Sequence, residues 1–437
     1  MKTVFDFLPF RHRCYKKSER SIMTNNTGNT CQKHVTRRSF LARSGAVAAS
    51  CSIINANLVH GSSANSKVKL GVVGCGGRGI WISRLFAKHG GYILSAASDY
   101  FQDRVDRYGD LFEIAPAQRY TGLSSYKRML EKSDIDAIAV ESPPYFHPEQ
   151  AAAGVEAGKH VYVAKPIAVD VPGCQTIEAS GHKATRTGLC FQIDFQTRAN
   201  DFYKEALRRV HNGDIGQLAF GEAYYHAGFP FPPHIEYMKK DPTNPENRLR
   251  GWGLDKVLSG DIITEQNIHT LDVMNWIMDV PPIQASGANG HKIRDDGGDC
   301  HDSFMLVYQY PNNVGVSFTS RQFEGYKSDG GIKNRMYGSD GVLETEYGGE
   351  VLIRGKKAYK GGNTGPIFGE GAANNIATFH KNIMEKNVDN PTIEPSVRSN
   401  LISVLGRTAA YSGDIVKWDD MMKKAEKLNF KTKGLKD

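Results

Sequence analysis

Glu265, His269 and Asp272 are side chains that could accept or donate a proton, and they recur at regular intervals in the sequence. The intervals are four and three residues, which predicts one shared face of a helix at roughly residues 266–278. A glutamate and a histidine one turn apart suit proton relay to a substrate hydroxyl, and the same residue types could bind a metal. A solvated acidic face or a structural histidine would give the same spacing, so these alternatives stay open.

Lys165 is the second candidate for acid–base chemistry, in the run Val163-Ala164-Lys165-Pro166. It follows a strand predicted at residues 160–163, and ligands of open parallel sheets bind beyond the carboxyl ends of the strands. A lysine there could polarise or deprotonate a hydroxyl, with Pro166 restricting its direction. Most lysines are solvated surface groups, so this motif is weak when it is taken alone.

A glycine-rich loop lies upstream of both motifs and has the sequence Gly74-Cys75-Gly76-Gly77-Arg78-Gly79. Glycines at its first, third and sixth positions permit a tight turn, close approach of the backbone to a pyrophosphate, and close packing of the next helix. The loop follows a strand predicted at residues 67–73 and opens a helix predicted at about 79–88, whose free N–H groups favour an anion. This context predicts a dinucleotide site.

Asp99 stands twenty residues after Gly79, at the end of a strand predicted at residues 93–98. A carboxylate at this point can accept the ribose hydroxyls of NAD. Arg104 follows closely enough to leave NADP as an alternative. The sequence therefore favours NAD as the cofactor without excluding NADP.

The alternation of elements predicts an α/β protein with two domains after a leader. Short strands and helices alternate over residues 67–190, which is typical of a Rossmann domain with a doubly wound parallel sheet. Residues 191–437 contain longer strands separated by turn signals, which predicts an α+β domain with a mainly antiparallel sheet. A polar, proline-rich insert at residues 230–255 interrupts this domain, and its sequence suggests no mechanism.

Residues 1–66 form a leader and linker that differ from the rest of the chain in charge. The formal net charge is +8, and these residues hold ten lysines and arginines against two acids, so residues 67–437 are formally neutral. A neutral body gives no reason to expect nucleic acid as a partner. The leader run Thr36-Arg37-Arg38-Ser39-Phe40-Leu41, followed by small apolar residues, resembles a twin-arginine export signal.

The leader bears on localisation and on membrane association. An export signal predicts a periplasmic or other extracytoplasmic protein, whereas a chance arginine pair would leave the chain in the cytoplasm. The apolar run is too short and too weak for a stable membrane span. The cysteines at 75, 174, 190 and 300 lack the spacing of a zinc site, which predicts buried or incidental thiols and no metal.

Taken in order, the motifs resemble the Gfo/Idh/MocA oxidoreductase family over roughly residues 67–410. Besides the glycine loop, the resemblance rests on Ser142-Pro143-Pro144-Tyr145-Phe146-His147, on Ala157-Gly158-Lys159-His160-Val161 leading to Lys165-Pro166, and on the segment from Glu265 to Asp272. The family implies a Rossmann domain followed by a domain with an open, mainly antiparallel sheet, which often packs between subunits. A homodimer or homotetramer is therefore expected.

The resemblance also implies roles for particular residues of this sequence. Lys165 corresponds to the family's catalytic lysine, and His269 to the histidine that exchanges the hydroxyl proton, with Glu265 as the third catalytic residue. Substrate contacts are expected from Arg198 and Asp272 as well as from Lys165 and His269. The expected cofactor contacts are Gly74, Gly76, Gly77, Arg78, Gly79, Asp99, Pro143, Pro144, His147 and Lys165.

Two positions depart from the family's pattern. The family's Glu-Lys-Pro motif reads Ala164-Lys165-Pro166 here, so a carboxylate beside the cofactor is missing. Glu265 stands where the family has an aspartate, which lengthens the side chain by one methylene. The first change bears on the orientation of the cofactor or on the rate, and the second shifts the proton relay by about 1.5 Å.

The family resemblance implies hydride transfer between a nicotinamide cofactor and a sugar, glycoside or polyol hydroxyl. Because free NAD is scarce outside the cytoplasm, an exported enzyme is expected to hold its cofactor tightly and to recycle it. One alternative is an NAD-dependent glycosidase or lyase that oxidises the sugar transiently. Another, favoured only by Ala164, is a non-catalytic sugar-sensing binding protein.

Overall fold

Short apolar runs in the first half of the chain build a six-stranded parallel sheet. The computed structural model describes residues 67–328 and 330–437, so the expected export signal lies outside the described residues. The strands are β1 (Val68–Val73), β2 (Tyr92–Asp99), β3 (Arg119–Thr121), β4 (Ala137–Val140), β5 (His160–Ala164) and β6 (Phe191–Asp194). Their order is β3-β2-β1-β4-β5-β6, and every neighbouring pair is parallel. This doubly wound order confirms the expected Rossmann sheet.

Five helices connect these strands and cover both faces of the sheet. They are α1 (Gly77–His89), α2 (Gln102–Leu111), α3 (Ser125–Lys132), α4 (His147–Glu156) and α5 (Val171–Arg186). Apolar side chains of α1 and α2 pack on one face, while those of α3, α4 and α5 pack on the other. The strands are apolar along nearly their whole length because both faces of a parallel sheet are buried.

Nine strands form the second sheet, and nearly all of its neighbouring strands are antiparallel. The strands are β7 (Leu218–Ala227), β8 (Gln284–Gly290), β9 (Ser303–Gln309), β10 (Gly315–Gln322), β11 (Gly331–Gly338), β12 (Gly341–Glu346), β13 (Glu350–Gly355), β14 (Tyr359–Asn363) and β15 (Val416–Lys417). Their order is β14-β13-β12-β11-β7-β10-β9-β8-β15, with β7 and β10 as the parallel pair. The expected mainly antiparallel sheet is therefore confirmed.

Nine helices of the described residues belong to the second half of the chain. They are α6 (Asp201–His211), α7 (Ile235–Lys240), α8 (Pro245–Arg250), α9 (Lys256–Ser259), α10 (Asp261–Glu265), α11 (Ile268–Met278), α12 (Ile367–Glu385), α13 (Ile393–Ser412) and α14 (Trp418–Lys424). Helix α13 packs against α5, α10 and α11, as well as against β8. One continuous apolar core therefore joins the Rossmann sheet to the second sheet.

The residues that build the Rossmann layer and those that build the second sheet are not separated by a single boundary at residue 190. Strand β6 follows that position and completes the parallel sheet. Helix α12 returns from the far end of the chain and packs on α1, where Phe379 belongs to the same apolar cluster as Phe86 and Tyr162. None of the helices among the described residues combines the length and apolarity needed to cross a bilayer.

We expect Phe379→Ala to lower the free energy of unfolding by about 3–5 kcal/mol, because its fully enclosed ring leaves a cavity against the Rossmann sheet. Met384 in the same helix is 45% exposed, so Met384→Ala should change stability by less than about 0.5 kcal/mol. Denaturant unfolding of the purified variants measures both values. Equal, small effects would contradict the assignment of α12 to the Rossmann core.

Candidate active site

The glycine loop turns the chain from β1 into α1 at distances that exclude larger side chains. Gly74 has a φ of +99°, and a Cβ there would lie 2.5 Å from the backbone nitrogen of Ser142. A Cβ on Gly79 would lie 1.9 Å from the carbonyl oxygen of Gly74. A Cβ on Gly77, by contrast, would meet no atom within 4 Å, and one on Gly76 only the Arg104 guanidinium at 3.8 Å. The first and last glycines are required for packing, and the middle two border room for a ligand.

Asp99 holds this loop against the end of β2. Its carboxylate accepts hydrogen bonds from the backbone N–H of Cys75 at 2.8 Å and of Phe101 at 2.9 Å. Burial raises the pKa of Asp99, while these two bonds and the charge of Arg104 act in the opposite direction. Since each carboxylate oxygen can accept a second bond, Asp99 can still receive a ribose hydroxyl.

A cavity of about 250 Å³ lies beyond the carboxyl ends of β1, β2 and β4. Its lining includes Gly76, Gly77, Asp99 and Pro143, and the guanidinium of Arg104 lies beside Gly76. Helix α1 starts at the cavity with no acidic residue in its first turn and no side-chain cap, so its N–H groups are free for an anion. The residues present therefore fit a dinucleotide.

The segment after β4 is held in place by His147. Its ring is buried, with Nε2 2.6 Å from the Ser142 carbonyl oxygen and Nδ1 2.8 Å from that of Pro166. Burial lowers the pKa of His147 to about 4. Pro143 lines the cavity, whereas Pro144 is buried beneath it. His147 thus ties the Ser142 segment to the Lys165-Pro166 segment.

Lys165 and Glu265 meet in the interior although 100 residues separate them in the chain. The ammonium group of Lys165 donates to the backbone oxygen of Glu265 at 2.7 Å and lies 3.7 Å from its Oε1. Burial lowers the pKa of Lys165 and raises that of Glu265 to about 7, and each charge opposes the shift of the other. Glu265 is therefore able to exchange a proton near neutral pH, next to the ammonium group of Lys165.

His269 completes this cluster. Its ring is buried, and burial together with the charges of Lys165 and Arg78 holds its pKa well below the usual range. The ring centre of Tyr347 lies 4.9 Å from that of His269. Among the described residues, no hydrogen-bond partner is found for His269 Nδ1, Glu265 Oε2 or the Tyr347 hydroxyl.

Buried polar atoms without partners are rare and destabilise a fold by about 1–3 kcal/mol each, so several in one place indicate a ligand site. Three such atoms belong to Glu265, which contacts Lys165, and to the neighbouring rings of His269 and Tyr347. Tyr347 follows β12, and nothing in the sequence pattern distinguishes it from other tyrosines; it was not among the residues expected from the sequence. The cluster can present several donors and acceptors to a polyhydroxylated ligand.

The helix expected at roughly residues 266–278 is confirmed as α11, but Glu265 lies outside it, so the single helical face expected for Glu265, His269 and Asp272 is interrupted. Helix α10 ends at Glu265 and α11 begins at Ile268. The backbone N–H groups of Gln266 and Asn267 both donate to the Ile262 oxygen at 2.9 Å, which breaks the regular pattern. The hydroxyl of Tyr225 donates to Gln266 at 2.9 Å and holds the turn against the second sheet.

Ala164 stands where the family's pattern has a glutamate. Carboxylates at the ends of the two neighbouring strands, β4 and β6, flank this position. Ala164 pairs in register with Asp194, and Arg78 reaches from the glycine loop to both Asp194 and Glu141. Burial raises the pKa of Glu141 to about 7, with Arg78 opposing this shift. One feature of the sequence could have identified these carboxylates: an acidic residue is the last residue of β2 and of β6, and another follows β4 directly.

Arg198 and Asp272 bind each other. The Arg198 guanidinium donates to Asp272 Oδ1 from Nε at 2.9 Å and from Nη2 at 2.8 Å, and the Ser399 hydroxyl donates to the same oxygen at 2.7 Å. Asp272 is fully buried, and Arg198 borders a different cavity from Asp99 and Pro143. The structure thus brings Lys165 and Glu265 together near His269, and it pairs Asp272, one turn after His269 in α11, with Arg198 at a different cavity.

Two models of one protein family match the chain. A model described as the oxidoreductase family, NAD-binding Rossmann fold, matches residues 68–195, and the GFO/IDH/MocA C-terminal domain model matches residues 203–344. This chain belongs to the Gfo/Idh/MocA family. The first domain is accordingly an NAD-binding Rossmann domain of an oxidoreductase family.

The chain is similar over part of its length to named proteins. A glycosyl hydrolase family 109 protein from Shewanella sp. (strain W3-18-1) is 29% identical over 218 residues, which cover 44% of this chain and 46% of that protein. The chain thus matches about half the length of this relative.

The solved structures are dehydrogenases and oxidoreductases of similar fold. Scyllo-inositol dehydrogenase from Lactobacillus casei with bound NAD(H) and scyllo-inositol has a TM-score of 0.63 at 20% identity, over 81% of this chain and 99% of that one. The aldose-aldose oxidoreductase from Caulobacter crescentus has a TM-score of 0.60 at 18% identity, over 80% and 99%. At this identity, the likeness establishes the shared fold.

In this family member, helix α13 holds the segment that carries Lys165. Asn400 accepts a hydrogen bond from the Ile167 N–H at 3.2 Å and donates to the Ala168 oxygen at 3.0 Å. Asn400 is fully buried and has a place in the continuous core. The backbone after the lysine is therefore fixed by a side chain from the far end of the chain.

The same face of α13 also holds the segment that carries Glu265. Arg407 donates to the Val169 oxygen at 2.7 Å and to the Gly260 oxygen at 2.8 Å. The hydroxyl of Ser403 donates to Thr264 Oγ1 at 3.1 Å. Arg407 thus bridges the backbone of the two segments.

Within the described residues, no group of three or more His, Cys, Asp or Glu side chains is arranged for a metal ion.

Two glycine substitutions should separate packing from ligand contact. Gly79→Ala places a Cβ against the Gly74 carbonyl, so we expect a loss of about 1–3 kcal/mol in unfolding free energy together with lost nucleotide binding. Gly77→Ala meets no atom of the protein within 4 Å, so stability should be kept while NADH binds about tenfold more weakly. Thermal unfolding and NADH fluorescence titration measure these effects. Full NADH affinity in Gly77→Ala would contradict a pyrophosphate at this loop.

Proposed function

We propose that this protein transfers a hydride between a nicotinamide cofactor, NAD or alternatively NADP, and a CH–OH group of a sugar, glycoside or polyol. The observation that carries the proposal is the buried cluster of Lys165, Glu265 and His269, with unpartnered polar atoms, beside the dinucleotide cavity. Arg78 connects the two, because it lines the cavity and its charge acts on all three groups. The dehydrogenases of similar fold support the choice of substrate class.

The roles of the side chains follow from their protonation. When bound, the nicotinamide ring supplies the acceptor or donor of the hydride. His269 is neutral at physiological pH, so it can take the hydroxyl proton as the C–H bond loses its hydride and a carbonyl forms. Lys165, held by Glu265, donates a hydrogen bond to the same oxygen and stabilises the charge that develops there. Arg198 and Asp272 support this site through α11 and need not touch the substrate.

A second candidate function is glycoside cleavage through transient oxidation of the sugar. The similarity to a glycosyl hydrolase family 109 protein favours it. Oxidation would create a ketone that acidifies the neighbouring C–H, loss of that proton would expel the aglycone, and addition of water followed by return of the hydride would complete the cycle. The same residues serve both candidates, since each begins with removal of a hydroxyl proton.

We further propose that the protein is exported through its Arg37-Arg38 signal, holds its cofactor tightly and forms a homodimer or homotetramer. The outward face of the second sheet supports the last point, because Met305 is 67% and Val307 51% exposed there. Light scattering of the purified protein measures the oligomer.

Cell fractionation of a variant with both arginines changed to lysine tests export: retention in the cytoplasm supports the signal, and unchanged export excludes it.

The main test identifies any nucleotide released on denaturing the purified protein and follows nicotinamide absorbance with sugars, polyols and aryl glycosides. We expect bound NAD(H) and substrate-dependent reduction, and Lys165→Met or His269→Gln should lower kcat by about 10²–10⁴-fold while keeping the nucleotide. Aglycone release without net reduction would select the glycosidase. Failure to bind any nicotinamide nucleotide would remove both candidates and leave a sugar-binding protein.

The pH dependence of oxidation should follow Glu265. Its pKa of about 7 means that the ionised form, which keeps Lys165 charged and in place, is lost as the pH falls through 7. We expect kcat/KM for oxidation to rise with pH around 7, and Glu265→Gln to flatten this rise. Glu141 also has a pKa raised to about 7, so Glu141→Gln is the matched comparison. An unchanged midpoint in Glu265→Gln would assign the rise to another group.

A further inference from the structure

The insert at residues 230–255 does not extend from the protein as a free loop. It contains α7, α8 and the short turns Pro232–His234 and Trp252–Leu254. Four of its side chains line the dinucleotide cavity opposite the Rossmann strands, namely Phe231, His234, Leu249 and Trp252. The second domain therefore contributes one wall of a cavity whose other wall is the glycine loop.

Three of these side chains form an aromatic group. The rings of Phe231 and His234 are stacked, with centres 5.0 Å apart and an angle of 14°, and Trp252 lies 5.5 Å from Phe231 and 5.7 Å from His234. The Gly253 N–H donates to His234 Nδ1 at 3.2 Å, which leaves Nε2–H as the donor of a neutral ring. Burial keeps the ring neutral by lowering its pKa to about 4.

The aromatic group lies near the Rossmann residues at and after the end of β2. Trp252 packs on the apolar cluster of Phe101 and Leu249, and His234 and Trp252 border a second cavity together with Arg104. In a Rossmann domain, the acid at the end of β2 receives the adenosine ribose. A purine next to that ribose would meet the aromatic group, and flat aromatic rings stack favourably on nucleobases.

The insert is fastened to the same Rossmann loop. Arg250 forms two hydrogen bonds with Asp103, at 2.8 and 3.2 Å, and its guanidinium lies 3.9 Å above the ring of Phe101. The Tyr100 hydroxyl donates to Glu246 at 2.7 Å. These contacts follow Asp99 directly in sequence, so the insert closes over the residues that would hold the ribose.

We propose that residues 230–255 are a cover for the adenosine half of the dinucleotide, in which Phe231, His234 and Trp252 bind the adenine ring and Arg250 latches the cover to the Rossmann domain. The proposal rests on the proposed nicotinamide-dependent function. It assigns the insert to cofactor retention and not to substrate choice. A cover of this kind makes release of the dinucleotide depend on breaking the Arg250–Asp103 latch.

The first test uses the full-length protein and compares Trp252→Ala, Trp252→Phe and the control Trp418→Ala, whose side chain lies outside the cavity. We expect Trp252→Ala to weaken binding of NADH and of ADP-ribose by about 10- to 100-fold, with nicotinamide mononucleotide unaffected because it lacks adenosine. Trp252→Phe should retain most of the affinity, and Trp418→Ala all of it. Equal weakening of nicotinamide mononucleotide, or no weakening of ADP-ribose, would overturn the adenine subsite.

The second test concerns the latch and uses stopped-flow fluorescence of NADH, with excess NAD to trap the released site. Arg250→Met leaves the aromatic group intact, so we expect association and release to quicken together by about tenfold or more, while Trp252→Ala quickens release alone. Unchanged rates in Arg250→Met would overturn the cover. Wild-type protein that binds neither NADH nor NADPH would instead overturn the proposed function, so the two failures are distinguishable.

Discussion

Hydrogen bonds from one buried helix keep the two chemistry-bearing segments of this protein together. Asn400 and Arg407 of α13 bind the backbone after Lys165, while Arg407 and Ser403 bind the segment that leads to Glu265. These bonds lie in a medium of low polarity. There a hydrogen-bond network whose groups are all paired is rigid, and the loss of one partner destabilises the fold. The position of Lys165 relative to Glu265 therefore depends on a helix that itself carries none of the proposed chemistry.

Burial of charge is the second constraint at this centre. Two cations, Arg78 and Lys165, share the interior with Glu141, Asp194 and Glu265. Removing these groups from water is unfavourable unless each is paired, and Arg78 provides the pairing for two of the acids. In the family's pattern a glutamate precedes the lysine, where this chain has Ala164. Here Glu141 and Asp194, at the ends of the neighbouring strands, pair with Arg78, and Glu265 pairs with Lys165. The two cations therefore keep their partners without that glutamate.

The sequence predicted the parts of the site that short motifs encode. The glycine loop, Asp99, Lys165 and the pair of Glu265 and His269 could be selected as candidates because each belongs to a short motif. The break at Gln266 was not predictable, because the side chain that holds this turn, Tyr225, comes from strand β7 and is distant in sequence. Helix α13 gave no amphipathic pattern, since it is buried on nearly all sides. The role proposed for residues 230–255 depends on their position in the wall of the dinucleotide cavity. Their amino-acid composition does not predict that position.

The parallel pairing of β7 with β10 has a consequence for how this molecule reaches its native state. Every element from the insert to β9 lies in the connection between these two adjacent strands, and that connection includes the turn with Glu265 and His269. Strands so distant in sequence pair slowly, because a long loop has to close. The turn that carries Glu265 and His269 lies inside this loop and is held by Tyr225 of β7, so we expect it to reach its place only as the slow pairing of β7 with β10 is completed.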